Sequence, residues 1–352
     1  MSRSEDLYAL LSVEGPVFIT AQLMGERISL DGSAFFVRQN LHLTLFSQHG
    51  TTLDAEGRSQ LFVVHGALHL SDINLVRGSS SGFAGGCLFV QGSAVLTNTT
   101  ITNCTVSGSM IPEWSDDRIL RGGAIAVAGQ GSVQLSHTII SRAMIHPTSV
   151  DFDPPNGAAI HVDFEGTLGM LHCSVSECFV RSRVGAFGGA VYMNARARAN
   201  ISHSVFDRCG AHSDATEATG AAIGGALRAI EGSEITIKHS TFQNCMVTTS
   251  DGSSRAEGGA LALRGCTLHM QDTTISECRA HGSRAEGGAI HSRGDAVIVL
   301  QRSIITHCSA VAALPQGWGK GGGVFVDDGS VLLQLRTQLI SNVATTQGSA
   351  IM

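Results

Sequence analysis

The dipeptide Gly-Gly, followed by a small residue and then a branched or aliphatic one, recurs along most of this chain. It reads GGCLFV from Gly85, GGAIAV from Gly122, GGAVYM from Gly188, GGALRA from Gly224, GGALAL from Gly258, GGAIHS from Gly287 and GGGVFV from Gly321. A variant, GAAIHV, starts at Gly157, and a partial copy, GSAIM, at Gly348. A second signature follows: ITNC ends at Cys104, VSEC at Cys178, FDRC at Cys209, FQNC at Cys245, ISEC at Cys278 and ITHC at Cys308. Two copies lack the cysteine and read as placing Ala143 and Val343 there. From first glycine to cysteine position takes 19 to 22 residues, whereas the return to the next glycine takes 5 to 18. A segment of fixed length alternating with one of free length marks stacked units whose insertions leave from one edge.

The fixed segment has a period of two. Ten and eight residues before the cysteine position stand apolar pairs such as Val133 and Leu135, Ile235 and Ile237, Leu268 and Met270; the last copy reads as Leu333 and Leu335. Three residues before it stand Ile101, Ile140, Val175, Phe206, Phe242, Ile275 and Ile305, and the last copy reads as Ile340. After the double glycine the fourth and sixth positions are mostly apolar, and the fifth runs through Ala126, His161, Tyr192, Arg228, His291 and Phe325. Such alternation is that of strands with one buried face. Three short strands per unit form one coil, and units with less regular spacing extend the pattern upstream to FFVRQNLHLTLF at 35–46. The fold class is therefore all-β: a single-stranded right-handed parallel β-helix of about ten coils. Residues 30–352 read as the solenoid, with clear repeats over 85–352, and residues 1–29 as an N-terminal segment in which EDLYALLS is expected to cap the first coil. GSAIM opens a coil and stops, so the array is expected to run on in a longer protein or to pair end to end with another molecule.

Composition narrows the function. Charged residues are 15% of the 352, far below the usual quarter, and the net charge is −6, which leaves no basic footprint for nucleic acid. No apolar run reaches the 18 residues of a membrane-spanning helix, and the first residues do not read as a signal peptide.

GGAI followed about twenty residues later by an FxxN-like element, here FDRC and FQNC, resembles the repeat of the chlamydial polymorphic outer-membrane proteins. More broadly the chain resembles the pectin lyase-like superfamily of right-handed β-helices. The resemblance implies a secreted or cell-surface rod for adhesion or glycan contact. The superfamily's lyases and hydrolases make a carbohydrate-active enzyme one alternative, and a purely structural or decayed repeat segment is another.

Three groups of residues carry candidate chemistry. The two longest adjacent loops gather Glu113, Trp114, Asp116, Asp117, Asp151, Phe152 and Asp153, carboxylates beside aromatics that suit Ca²⁺ or a stacked sugar ring. Six residues before the cysteine position stand His137, His172, His203 and His239 on successive coils, preceded by Asn98 and followed by Asp272 and Arg302. These residue types fit a turn with positive φ, and a row of imidazoles is also a candidate Zn²⁺ or Cu²⁺ site. Cys104, Cys178, Cys209, Cys245, Cys278 and Cys308 read as a ladder of small buried thiols, since side chains stacked in line do not point at one another as a disulfide requires. No catalytic residue and no obligatory cofactor is assigned: the outward fifth positions do not gather the aspartates, histidine and arginine of a catalytic groove.

Overall fold

The computed structural model describes residues 5 and 8 and the segments 17–82, 84–108, 119–147, 153–215, 220–250 and 254–352. One coil shows the plan. Strand Ile125–Val127 follows the double glycine and belongs to sheet 1. Strands Ser132–Ser136 and Ile139–Ser141 follow, separated by a two-residue turn, and both belong to sheet 2. The short strand Met144–Ile145 lies in sheet 3, and Asp153–Asn156, on the way to the next coil, in sheet 4. The three strands of the repeat are thus joined by two more in the segment of free length. Among the described residues sheet 1 has ten strands, sheet 2 twenty, sheet 3 nine and sheet 4 seven, and each strand pairs in parallel with its counterpart one coil away. This is a right-handed parallel β-helix of ten coils. At ~4.8 Å per stacked strand its ten coils span roughly 43 Å.

Because equivalent residues stack in register, the interior consists of rows of like side chains. Ile125 and Val127 from sheet 1 face Val133, Leu135 and Ile140 from sheet 2, and all are buried. Phe206 and Phe242, one coil apart, stack with centroids 4.6 Å apart and planes 2° from parallel. The first glycine of the motif is required by the corner it makes. At Gly258 φ is +67°, and a Cβ there would stand 2.1 Å from the carbonyl oxygen of Leu261. An L-residue fails on both counts. This position is glycine in every copy, whereas the second admits Ala158.

The other corners use left-handed non-glycine residues. Asn98, His137, His172, His203, His239, Asp272 and Arg302 all have φ between 48° and 53°, as the residue types of all but Arg302 predict. A second such column, immediately before the cysteine position, holds Asn103, Arg142, Glu177, Arg208, Asn244, Glu277 and His307.

Three features depart from the sequence reading. In the last repeat, Leu332 pairs with Ile298 and Leu339 with Ile305. Asn342, not Val343, therefore stands at the cysteine position, and Leu333 and Leu335 face outward, 54% and 56% exposed. A slip of one residue exchanges the two faces of a strand. Second, Cys104 is not a free thiol of the ladder. It is bonded to Cys87, which enters from the sheet 1 side of the coil with a Cα–Cα separation of 5.7 Å. The argument against bridging holds along the column and not across the coil. Third, the fifth position after the double glycine is not a free outer surface. Ala126, His161, Tyr192, Arg228, Ala262, His291 and Phe325 are all buried, because sheet 4 folds over them. Among the described residues the first strand of the ladder is Val17–Leu23, paired to Leu41–Ser47. Tyr8 sets its ring against Phe35, centroids 4.7 Å apart, and its hydroxyl donates to the carbonyl of Ser33.

Candidate functional site

Outside the apolar core, the seam between sheets 1 and 4 and the outer face of sheet 2 both collect polar side chains among the described residues. In the seam, the sheet 1 column His161, Tyr192, Arg228, Ala262, His291, Phe325 runs beside the sheet 4 column Asn156, Phe187, Ile223, Glu257, Glu286, Lys320. The guanidinium of Arg228 lies over the Phe187 ring, 3.8 Å from its centroid. Glu257 sits among Arg293 at 3.2 Å, His291 at 3.7 Å and Arg255 at 3.9 Å. The other ring nitrogen of His291 lies 3.3 Å from Glu286. Burial pushes the Glu286 carboxyl up, but His291, Arg255 and Lys320 outweigh it and hold the group below its ordinary range. Four coils back along sheet 1, His161 likewise holds Asp163 down, helped by Arg121.

Glu257, Glu286 and His291 bring one ligand atom each within 4.8 Å of one another, the single such group of three among the described residues. Arg255 and Arg293 already stand against its carboxylates, so it is an ion-pair network as it is. The cavity beside it has a volume of about 10 Å³. That holds one water-sized sphere and excludes a sugar ring.

The outer face of sheet 2 is open. Its central column, Gln134, Gly169, Asn200, Thr236, His269 and Val299, carries short side chains over the middle coils. Taller ones flank it: Arg198 and Glu234, paired at 3.4 Å, on one side, and Lys238, Gln271 and Gln301 on the other. Short residues between tall ones make a trough. Its two parts measure about 680 Å³ and 320 Å³ and share Thr236 and Lys238. From the coil of Gln134 to that of Gln301 it runs about 24 Å along the rod. It offers amide, hydroxyl and ammonium groups to an extended polar ligand. Among its described lining residues the one carboxylate is Glu234, engaged with Arg198.

The residues singled out in the sequence lie elsewhere. Glu113, Trp114, Asp116, Asp117, Asp151 and Phe152 fall outside the described residues, as does the side chain of Asp153. His137, His172, His203 and His239 form an exposed stack, neighbouring centroids 4.9–5.0 Å apart and planes 7–23° from parallel. Rings stacked face to face hold their nitrogens side by side, and no three ligand atoms of this column fall within 4.8 Å. Asp272 ends the row, 4.0 Å from His239 and bonded to Arg302. Cys178, Cys209, Cys245, Cys278 and Cys308 do form the buried ladder. Each Sγ donates to the carbonyl two residues back, at 3.3–3.6 Å. In the last coil the amide of Asn342 does this corner work, donating to Ile305 O at 3.0 Å and accepting from Cys308 N at 2.9 Å. The trough was missed because its residues occupy outward strand positions, which vary freely. The one available signal was Gly169, a glycine in mid-strand.

Stacked parallel coils, left-handed corners and polar outer faces define a repeat protein of the right-handed β-helix class. The chain belongs to the right handed beta helix region family, which matches residues 71–347. No curated protein matches it.

Proposed function

We propose that this chain is a non-catalytic rod, part of a cell-surface or secreted protein, that contacts glycans through the trough on sheet 2. The observation that carries this reading is the trough itself: open, about 24 Å long, and lined by amide and hydroxyl side chains with Lys238 and the Arg198–Glu234 pair at its flanks. Hydrolysis of a glycosidic bond calls for two carboxyl groups about 5 to 9.5 Å apart around the scissile bond. The trough supplies Glu234 alone, and the paired carboxylates of the seam adjoin a cavity too small for a sugar. The likeness to the chlamydial polymorphic outer-membrane repeat supports a surface role. Asn342, in LISN, restores the asparagine that cysteine replaces in six of the other copies.

Electrophoresis through gels containing dissolved neutral or acidic polysaccharides tests the proposal. The native protein is expected to be retarded by at least one of them. Asn200→Trp and Thr236→Trp, which fill the trough at strand positions tolerant of large aromatics, are expected to weaken retention about tenfold or more. Retention unaffected by both variants, or shortening of the polysaccharide, overturns it.

A further inference from the structure

We infer that the seam between sheets 1 and 4 holds a single monatomic anion, chloride in ordinary saline, against Arg228. This side chain is 8% exposed, and its Nη1 has no hydrogen-bond partner. The flat face of the guanidinium is satisfied by Phe187, but the N–H groups at its edge are not met by a ring. A buried charged donor left without an acceptor is costly, so such a group in a native fold calls for a partner.

The nearest carboxylate does not supply it. Glu257 is already divided among Arg293, His291 and Arg255. What does lie beside Arg228 is the cavity of about 10 Å³, whose other charged or ionisable walls are Arg264, Arg293, His291 and Glu257. Three arginines against one carboxylate leave a surplus of positive charge, at a place where burial already disfavours the charged form of Arg228. Charge interactions there are several-fold stronger than in bulk water, so an anion is held in preference to a neutral water. Size selects the kind of anion. The cavity admits one atom and not a sulfate or phosphate. Its remaining walls, Ile223, Ala229, Ile230, Ala262 and Leu263, are apolar, which suits a weakly hydrated halide. The inference is independent of the trough, which lies on another sheet.

Bromide serves as the probe. Crystals grown or soaked in bromide are expected to show an anomalous peak within hydrogen-bonding distance of Arg228 Nη1. In solution, the melting temperature is expected to be higher in chloride or bromide than in gluconate at equal ionic strength, rising with millimolar halide as binding to the folded state requires. Arg228→Met is expected to abolish that difference. Should this variant not fold, the peak and the halide titration of the native protein decide the matter. A well-ordered water without anomalous signal overturns the inference. So does a peak seen only at crystal concentrations with no effect on melting, or a halide effect that persists in Arg228→Met.

Discussion

Truncation of Phe242 to alanine probes the packing of the rod at its most regular point. Phe242 and Phe206 occupy the same position on adjacent coils, both with no exposed surface, and their stacked rings are parallel within 2° at 4.6 Å. Loss of a buried phenylalanine side chain costs about 3–5 kcal/mol, the upper part where the surroundings cannot collapse. Collapse is restricted here, because the hydrogen-bonded ladders on either side fix the distance between coils. Part of that cost belongs to the stack. Removal of both rings should therefore cost less than the sum of the single truncations, by about 0.5–1.5 kcal/mol. Urea unfolding followed by circular dichroism gives the three values. Hydrogen exchange at Val205–Asp207 and Thr241–Gln243 reports whether the loss is local to the two coils, as nearest-neighbour stacking requires. A cost under about 1 kcal/mol for Phe242→Ala, or strict additivity, would mean that the rings do not meet inside the rod.

Further outcomes follow from the thiols, the disulfide and one carboxylate. Seven cysteines are free and buried. Burial pushes the Cys209 and Cys278 thiols well up, the hydrogen bond with the preceding ladder thiol does most of this for Cys245 and Cys308, and burial pushes Cys266 up to about 12. A thiol reagent at neutral pH should find almost none of the seven in the native protein and all seven in denaturant. Cys87→Ala together with Cys104→Ala opens a loop with a sequence separation of 17 and should lower unfolding stability by about 3 kcal/mol under oxidising conditions and by nothing beyond the lost packing under reducing ones. Asp214 is pushed up by burial but pulled down further by Arg181, Ser250 and His212, to about 2. A depressed folded pKa means that its stabilisation is complete above the unfolded value near 4 and is lost as pH falls towards 2. Asp214→Asn should flatten the stability profile across that interval, and an unchanged acid limb would show that the contacts of Asp214 do not persist in solution.

The repeat makes the solenoid legible in the sequence. Interior rows such as Val133, Leu135 and Ile140 announce themselves by period two, and the glycine corner by its constancy. The histidine corner was legible from residue type, since Asn, Asp and His tolerate positive φ. The second left-handed column was not, because Arg142, Glu177 and Arg208 are poor advertisements for that conformation and are held there by the ladders around them. The register of the last coil was lost because VLLQL offers apolar residues to both faces. Arg336, which repeats the corner residue Arg302, was the cue that would have set it. The seam was illegible for a different reason. Strand alternation says which side chains leave the core, but not that sheet 4 will cover them again. Partners such as Arg228 with Phe187, or His291 with Glu257, come from neighbouring coils and different sheets, 34 to 41 residues apart across a segment of free length, so no fixed spacing in the sequence relates them.

The most direct test of the account is to incubate the native protein with a panel of polysaccharides and to analyse by mass spectrometry both what is retained and its chain length. The account predicts that at least one glycan is retained at full length, with no new reducing or unsaturated ends. Shortened chains would make the protein an enzyme. Failure to retain any glycan would remove the trough as a binding surface and leave the rod a structural element.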